Sequence, residues 1–231
     1  FKKGIAMDWK NGQPTIDSLF TCEWEKLFFT ARKKGDTLEQ FHIDLATSTQ
    51  SFTEDLLFFM LNNLYKKTGL ENICITGGVA QNSVANGKIL KNTPFKDMYI
   101  PSASHDAGTS IGSALYLYNH ILNESRLPEI KTAYLGRESD NEEIISCIEK
   151  IGLKYESVDD DELFERVTDK LINGGVVGWF QGRAEFGPRA LGHRSIIVDP
   201  RRNDAKDLLN KKIKKRESFR PYAPSILEEF V

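Results

Sequence analysis

Asn72-Ile73-Cys74-Ile75-Thr76-Gly77-Gly78-Val79-Ala80-Gln81-Asn82 is the stretch that decides the fold. Asn72 to Thr76 reads as a short buried strand, stopped at once by two glycines. Val79 to Leu90 reads as a helix, closed by Asn92-Thr93-Pro94. Lys96 to Ile100 is a second expected strand, ended by Pro101, and Ser102 to Asp106 is a polar loop. Thr109 to Leu122 follows as a helix, whose Ser110, Gly112, Ser113 and Ala114 would allow close packing. Strand, helix, strand and helix at this spacing imply an α/β class with a parallel or mixed sheet and covering helices.

Upstream, Pro14 with Thr15 to Phe20 reads as the start of a short helix. Glu23 to Lys33 has a helical mix, ended by the polar turn Lys33-Lys34-Gly35-Asp36. In Thr37 to Thr68, Leu38, Phe41, Leu45, Phe52, Leu56, Phe59, Met60 and Leu64 recur at threes and fours. That periodicity predicts one or two helices with the aromatic residues in a core, and Gly69 as the stop. Downstream, Ser125 to Thr132 resembles a linker and Asn141 to Ile151 an amphipathic helix. Lys154 to Val158 is an expected strand. Asp159-Asp160-Asp161 would cap a helix to Asn173, stopped by Gly174-Gly175. Val176 to Phe180 and Ile196 to Val198 are further strands, and Ala205 to Ile213 a helix.

At 231 residues the chain suits one large domain or two small ones. No run approaches the roughly 18 apolar residues that a membrane helix needs. Phe1-Lys2-Lys3-Gly4 carries no secretory apolar region and no initiator methionine, so the true N-terminus is expected upstream. Cys22, Cys74 and Cys147 are scattered and odd in number, which argues against a disulfide framework and for the cytoplasm. They read as small buried hydrophobes. The net charge of −2 hides an asymmetry. Arg183 to Arg220 holds 12 Lys/Arg against 5 Asp/Glu, whereas Lys131 to Gly182 holds 6 against 12. A basic block in a near-neutral protein suggests one anion-facing surface.

Four segments can carry chemistry. Gly77-Gly78 lets a ligand approach the backbone closely, and Asn82 would reach a sugar hydroxyl or base edge; the alternative is a plain tight turn. Asp106, in Ser104-His105-Asp106-Ala107-Gly108, is either an N-cap or a carboxylate for a phosphate-bound cation. No His-x-x-x-His or His-Glu-x-x-His pattern occurs, so the sequence assembles no complete metal site. The strongest segment runs from Gly178 to Ser195, where Arg183, Arg189 and Arg194 stand among glycines and Pro188 after an apolar strand. Glycine and proline fix such a loop, and arginine supplies planar forks for phosphate or carboxylate. The fourth, Lys211 to Pro221, is either a solvated basic helix end or, with Phe219 and Tyr222, a weak nucleic-acid patch.

Together, Gly77-Gly78-Val79-Ala80-Gln81-Asn82, Asp106-Ala107-Gly108, Gly182-Arg183 through Phe186-Gly187-Pro188-Arg189-Ala190-Leu191-Gly192, and Phe219-Arg220-Pro221 resemble the NodU/CmcH family of O-carbamoyltransferases. The resemblance implies the later part of an actin-like ATPase (ASKHA) domain over residues 1–127, then a YrdC-like α/β domain over residues 128–231. It implies ATP-dependent transfer of a carbamoyl group from carbamoyl phosphate, through carbamoyl-adenylate, to a hydroxyl of a sugar or natural product. Carried over by motif, Gly77, Gly78 and Asn82 would hold the adenosine part, and Asp106 a divalent metal, iron or magnesium. Arg183, Arg189, Arg194, Ser195 and Arg220 would face the carbamoyl phosphate and nucleotide phosphates, with Arg189 and Arg220 at the chemistry. Lys212 or Lys215 would join them. The family's histidine metal motif is not in this sequence, and the chain by itself is not expected to complete the transfer.

Three competing readings remain: a tRNA-modification relative that makes carbamoyl-adenylate, a nucleic-acid-binding module using residues 183–220, and a nucleotide sensor that ignores carbamoyl phosphate. The carbamoyltransferase reading expects no membrane and no nucleic-acid partner, and leaves a homodimer open.

Overall fold

A computed structural model describes residues 7–16, 23–28, 31–33 and 35–230. The chain forms two compact units, residues 1–60 and 61–231.

In the first unit, β1 (Met7–Lys10) and β2 (Gln13–Ile16) form an antiparallel hairpin. The helix expected from Pro14 is replaced by strand β2 as far as Ile16; residues 17–20 lie outside the described residues. The cause is the intervening Asn11-Gly12, both at positive φ (52° and 72°), a pair that fits the two-residue turn matching strand twist. Helix α1 (Glu23–Leu27) is shorter than the expected Glu23–Lys33, whose residues 29 and 30 are outside the described set.

Helix α2 (Gln40–Thr68) is one continuous helix of 29 residues, stopped by Gly69 at φ +65° with its N–H on the Tyr65 carbonyl. Phe52 and Phe59 do not join the expected core, being 70 % and 66 % exposed, whereas Phe41, Phe58 and Tyr65 are half-buried. Only residues 40–60 of α2 belong to the first unit, and among its described residues a short hairpin and a five-residue helix accompany them, too little apolar surface to cover them.

The second unit contains the expected parallel pair. Strand β3 (Asn72–Cys74) lies beside β4 (Asp97–Tyr99) in the register Asn72↔Asp97, and the Ile75 N–H continues the ladder to the Tyr99 carbonyl. The connection is not the single expected helix. It is a 3-10 turn, Gly78–Gln81, then α3 (Ser83–Asn86) and α4 (Ile89–Asn92). Asn82 breaks the run because its side chain accepts the Ala85 N–H at 3.1 Å, starting a new helix instead of continuing the old one. Ala80, Ala85, Ile89, Phe95 and Ala103 are buried here, and Phe95 meets Tyr65 edge-on at 5.6 Å. Alternation along β3 buries Ile73 and turns Cys74 outward, so Cys74 is an exposed thiol; Cys147 is exposed too. Cys22 lies outside the described residues.

Helix α5 (Thr109–Tyr116) continues into a π-helical turn, Leu117–Ile121. A Cβ at Gly112 would meet nothing within 4 Å, so the expected close packing through this position is not made. Helices α6 (Asn141–Lys150) and α7 (Asp160–Ile172) stand where expected, capped by Asp140 on the Glu143 N–H and Asp159 on the Glu162 N–H. Lys154 to Val158 is not a strand. No described strand pairs with it, and Tyr155 and Glu156 bind Glu149 of α6 and Arg166 of α7. Strands β5 (Val176–Phe180) and β6 (Arg194–Val198) pair antiparallel, Phe180 opposite Arg194. Helix α8 (Ala205–Asp207) runs into a second π-helical turn, Leu208–Ile213. Helices and strands thus mix as the α/β class requires. No helix among the described residues is long and apolar enough to cross a membrane.

Candidate functional site

Three of the four singled-out segments meet in the second unit. The Gly77 N–H donates to the Ser104 carbonyl at 2.6 Å, and the Thr76 hydroxyl donates to the same oxygen at 3.0 Å. These bonds tie the end of β3 to the loop after β4. Gly77 has φ +98°, a conformation that favours glycine, and a Cβ on either Gly77 or Gly78 would face open space. The backbone of this turn is therefore open to close approach.

The arginine loop reaches the same place. The Ser102 hydroxyl donates to the Phe186 carbonyl at 3.1 Å. A Cβ on Gly187 would sit 2.7 Å from the Ser102 carbonyl oxygen, so only glycine permits this backbone approach. The result is a cleft of about 240 Å³ lined by Ala80, Gln81, Ser102, Ser104, Pro188 and Arg189 among others. The Arg189 side chain is exposed and makes no hydrogen bond or ion pair with the described residues. The Gln81 side-chain nitrogen is buried without a partner. An unengaged guanidinium and an unsatisfied amide donor on one small cleft suit an anion or carbonyl oxygen. The volume is below the roughly 300–1,000 Å³ of a drug-sized ligand pocket, so it takes a small group and not a whole nucleotide.

The other arginines are placed differently. Arg194 donates to the carbonyls of Gln181 (2.6 Å) and Gly182 (3.0 Å), with its guanidinium 3.5 Å over the Phe180 ring. The Ser195 hydroxyl accepts the Gly192 N–H at 2.9 Å. Both hold the loop's own backbone and do not line the cleft. Arg183 contacts the Leu135 carbonyl at 3.4 Å and Glu138 at 3.9 Å. Arg220 pairs with Glu217 at 3.1 Å, and Lys215 is exposed at φ +47°. Asn82 caps α3 and is not among the residues that line the cleft.

Asp106 begins a 3-10 turn, Asp106–Gly108, and its carboxylate makes no capping bond; the Thr109 hydroxyl binds its carbonyl instead. Among the described residues no group of three or more His, Cys, Asp or Glu side chains comes together to hold a metal. Asp106 alone supplies one carboxylate, fewer ligands than a metal site needs.

Glu185 is the residue that the sequence reading missed. Its carboxylate accepts the N–H groups of Leu191 (2.6 Å), His193 (2.9 Å) and Arg194 (3.3 Å). Burial pushes this carboxyl up, but the backbone N–H groups of Leu191, Glu185 itself, His193 and Arg194 outweigh it and bring it down to about 2. His193 adds a second clamp, stacking on Tyr134 at 3.7 Å and bonding the Arg183 carbonyl through Nδ1 at 2.6 Å. The signal was present in the sequence: one acidic residue inside a glycine-rich arginine loop has many unpaired N–H groups to accept.

Two family models match the chain, carbamoyltransferase N-terminus over residues 13–115 and carbamoyltransferase C-terminus over residues 168–231. The chain belongs to the carbamoyltransferase family. It is 45 % identical over 212 residues to an uncharacterized protein of Synechocystis, covering 89 % of this chain and 34 % of that one. It is 39 % identical to nodulation protein NolO of Bradyrhizobium diazoefficiens, over 86 % of this chain and 36 % of the relative. For nodulation protein NolNO of Sinorhizobium fredii the identity is 38 %, over 86 % and 29 %. The chain spans about a third of the length of these curated relatives. Both matched regions include segments that build the cleft: Ala80 to Ser104 from the first, Pro188 and Arg189 from the second.

Proposed function

We propose that this chain is the nucleotide- and donor-binding part of an ATP-dependent O-carbamoyltransferase. The observation that carries the reading is Arg189 standing unengaged on the cleft built by the Gly77–Gln81 turn and the Ser102–Ser104 loop. In this reading the guanidinium takes a phosphate or carbamoyl oxygen in the cleft, and the adenosine lies along the open face of Gly77 and Gly78. Carbamoyl phosphate, ATP and water give carbamoyl-adenylate, with loss of phosphate from the first and pyrophosphate from the second. An acceptor hydroxyl then attacks the carbamoyl carbon and AMP leaves. A guanidinium at the cleft offsets repulsion between the two polyanions and stabilises charge in the displacement.

The proposed boundary falls near residue 127/128, an actin-like (ASKHA) piece before it and a YrdC-like piece after it. Asp106 is proposed as the one carboxylate that this segment would give to a divalent metal, iron or magnesium. The partners are carbamoyl phosphate and a hydroxyl-bearing small-molecule acceptor, and the proposed setting is the cytoplasm. In the nucleic-acid reading of residues 183–220, Tyr222 is a restricted stacking platform: one face of its ring lies under the Arg216 guanidinium at 4.7 Å and its hydroxyl binds Asn210.

Calorimetric titration of this chain with carbamoyl phosphate, against inorganic phosphate as control, tests the reading. Saturable binding with at least a roughly tenfold preference for carbamoyl phosphate is expected, the margin of about one charge-assisted hydrogen bond to the carbamoyl group. Equal affinity for the two would contradict a donor site.

A further inference from the structure

The segment carrying Arg220 is organised around a single side chain, Asn210. It sits in the π-helical turn Leu208–Ile213 and is 0 % exposed. Its carboxamide oxygen accepts from Arg216 Nε at 2.7 Å and from the Tyr222 hydroxyl at 3.0 Å. Its nitrogen donates to the Ser218 carbonyl at 3.3 Å and the Arg220 carbonyl at 3.0 Å. Two donors at the oxygen and two carbonyls at the nitrogen fill the whole bonding capacity of the amide and fix its orientation. The Asn210 backbone carbonyl adds a fifth bond, from the Arg216 N–H at 2.9 Å.

One buried amide therefore ties down residues 216, 218, 220 and 222, every second residue of the loop. The wide helical turn makes this reach possible: the Lys214 N–H bonds back five residues to the Leu209 carbonyl, and Asn210 is left to face the returning chain. No other described side chain binds the Arg220 backbone carbonyl. Among the described residues Arg220 is otherwise held by its neighbour Glu217 alone, through Nε and through its N–H at 3.4 Å.

We infer that Asn210 is a positioning residue for Arg220, fixing where its guanidinium projects by holding its backbone carbonyl inside a fully satisfied amide. The inference rests on the reading of Arg220 as a contact to the donor's phosphate. It gives the deeply buried asparagine a task that an apolar residue of the same size could not perform.

Asn210→Asp tests it. The change is nearly isosteric and keeps the acceptor for Arg216 and Tyr222, but it places lone pairs against the carbonyls of Ser218 and Arg220. Two readouts are needed: amide hydrogen exchange along the chain, and carbamoyl phosphate affinity in a cycle with Arg220→Ala. Exchange over residues 216–222 is expected to quicken by about tenfold while residues 183–195 keep wild-type protection. Affinity is expected to fall about tenfold in either single variant and no further in the double variant, the coupling expected of two residues acting as one. Unchanged exchange at 216–222 would overturn the inference, as would quickened exchange over the whole chain or losses that simply multiply in the double variant. Absence of carbamoyl phosphate binding by the wild type would overturn the donor reading, and with it the role of Arg220, while the exchange arm still reports on Asn210.

Discussion

Arg189→Ala weakens carbamoyl phosphate binding by about 10- to 100-fold, with the fold unchanged. The size follows from losing one or two charge-assisted hydrogen bonds of roughly 1.5–3 kcal/mol, where about 1.4 kcal/mol is tenfold in affinity. The fold is expected to survive because the Arg189 side chain is exposed and holds no described residue. Arg189→Lys is expected to recover only part of the loss, since a point charge keeps the attraction but not the planar fork. Calorimetry reads the affinity and circular dichroism the fold. Arg194→Ala should behave in the opposite way, disturbing the loop itself, because Arg194 binds the Gln181 and Gly182 carbonyls and covers Phe180.

Glu185→Ala carries the second large effect. It strips the acceptor from the N–H groups of Leu191, His193 and Arg194 at once. The local cost is about 2–3 kcal/mol, the scale of hydrogen bonds to a charged group together with donors left unpaired. Amide exchange at Leu191 and His193 is expected to quicken by roughly 30- to 150-fold, with α6 and α7 unaffected. A pH dependence follows with a definite sign. The folded carboxyl titrates at about 2, below its ordinary 4.5. Its contribution is therefore complete above about pH 4.5 and is lost as pH falls from there through 2. Protection factors at Leu191 and His193 should be flat from neutral pH down to that point and then drop; a drop already near pH 6 would place the control elsewhere.

The strands were legible where an apolar run ends on glycines or proline: β3 before Gly77-Gly78, β4 before Pro101, and β5 after Gly174-Gly175. What failed was governed by local polar side chains or by partners. Asn82 prefers to cap a helix over sitting inside one, so a single expected helix became three short pieces. Asn11-Gly12 was a hairpin signal that Pro14 overshadowed. Lys154 to Val158 has strand-like residues but no described strand to pair with, and α2 has a regular apolar pattern with little of its own unit to cover it.

The candidate site was legible as chemistry more than as geometry. Glycine spacing and arginine content picked out both the Gly77-Gly78 turn and the loop that bears Arg189, and the cleft joins them. Sequence spacing could not tell Arg189, which stands free, from Arg194, which turns inward to the loop's carbonyls, because that depends on where the chain returns after Gly187. Asn210 was invisible for the same reason: its partners are carbonyls and side chains up to twelve residues ahead.

The most direct test is to follow backbone amide and arginine Nε resonances of this chain during a carbamoyl phosphate titration. Saturable shifts confined to Gly77, Gly78, Gln81, Ser102, Ser104, Arg189 and Arg220 are expected, moving together with one affinity. Shifts at Lys211 to Lys215 without any at Arg189 and the Gly77–Gln81 turn would contradict the account.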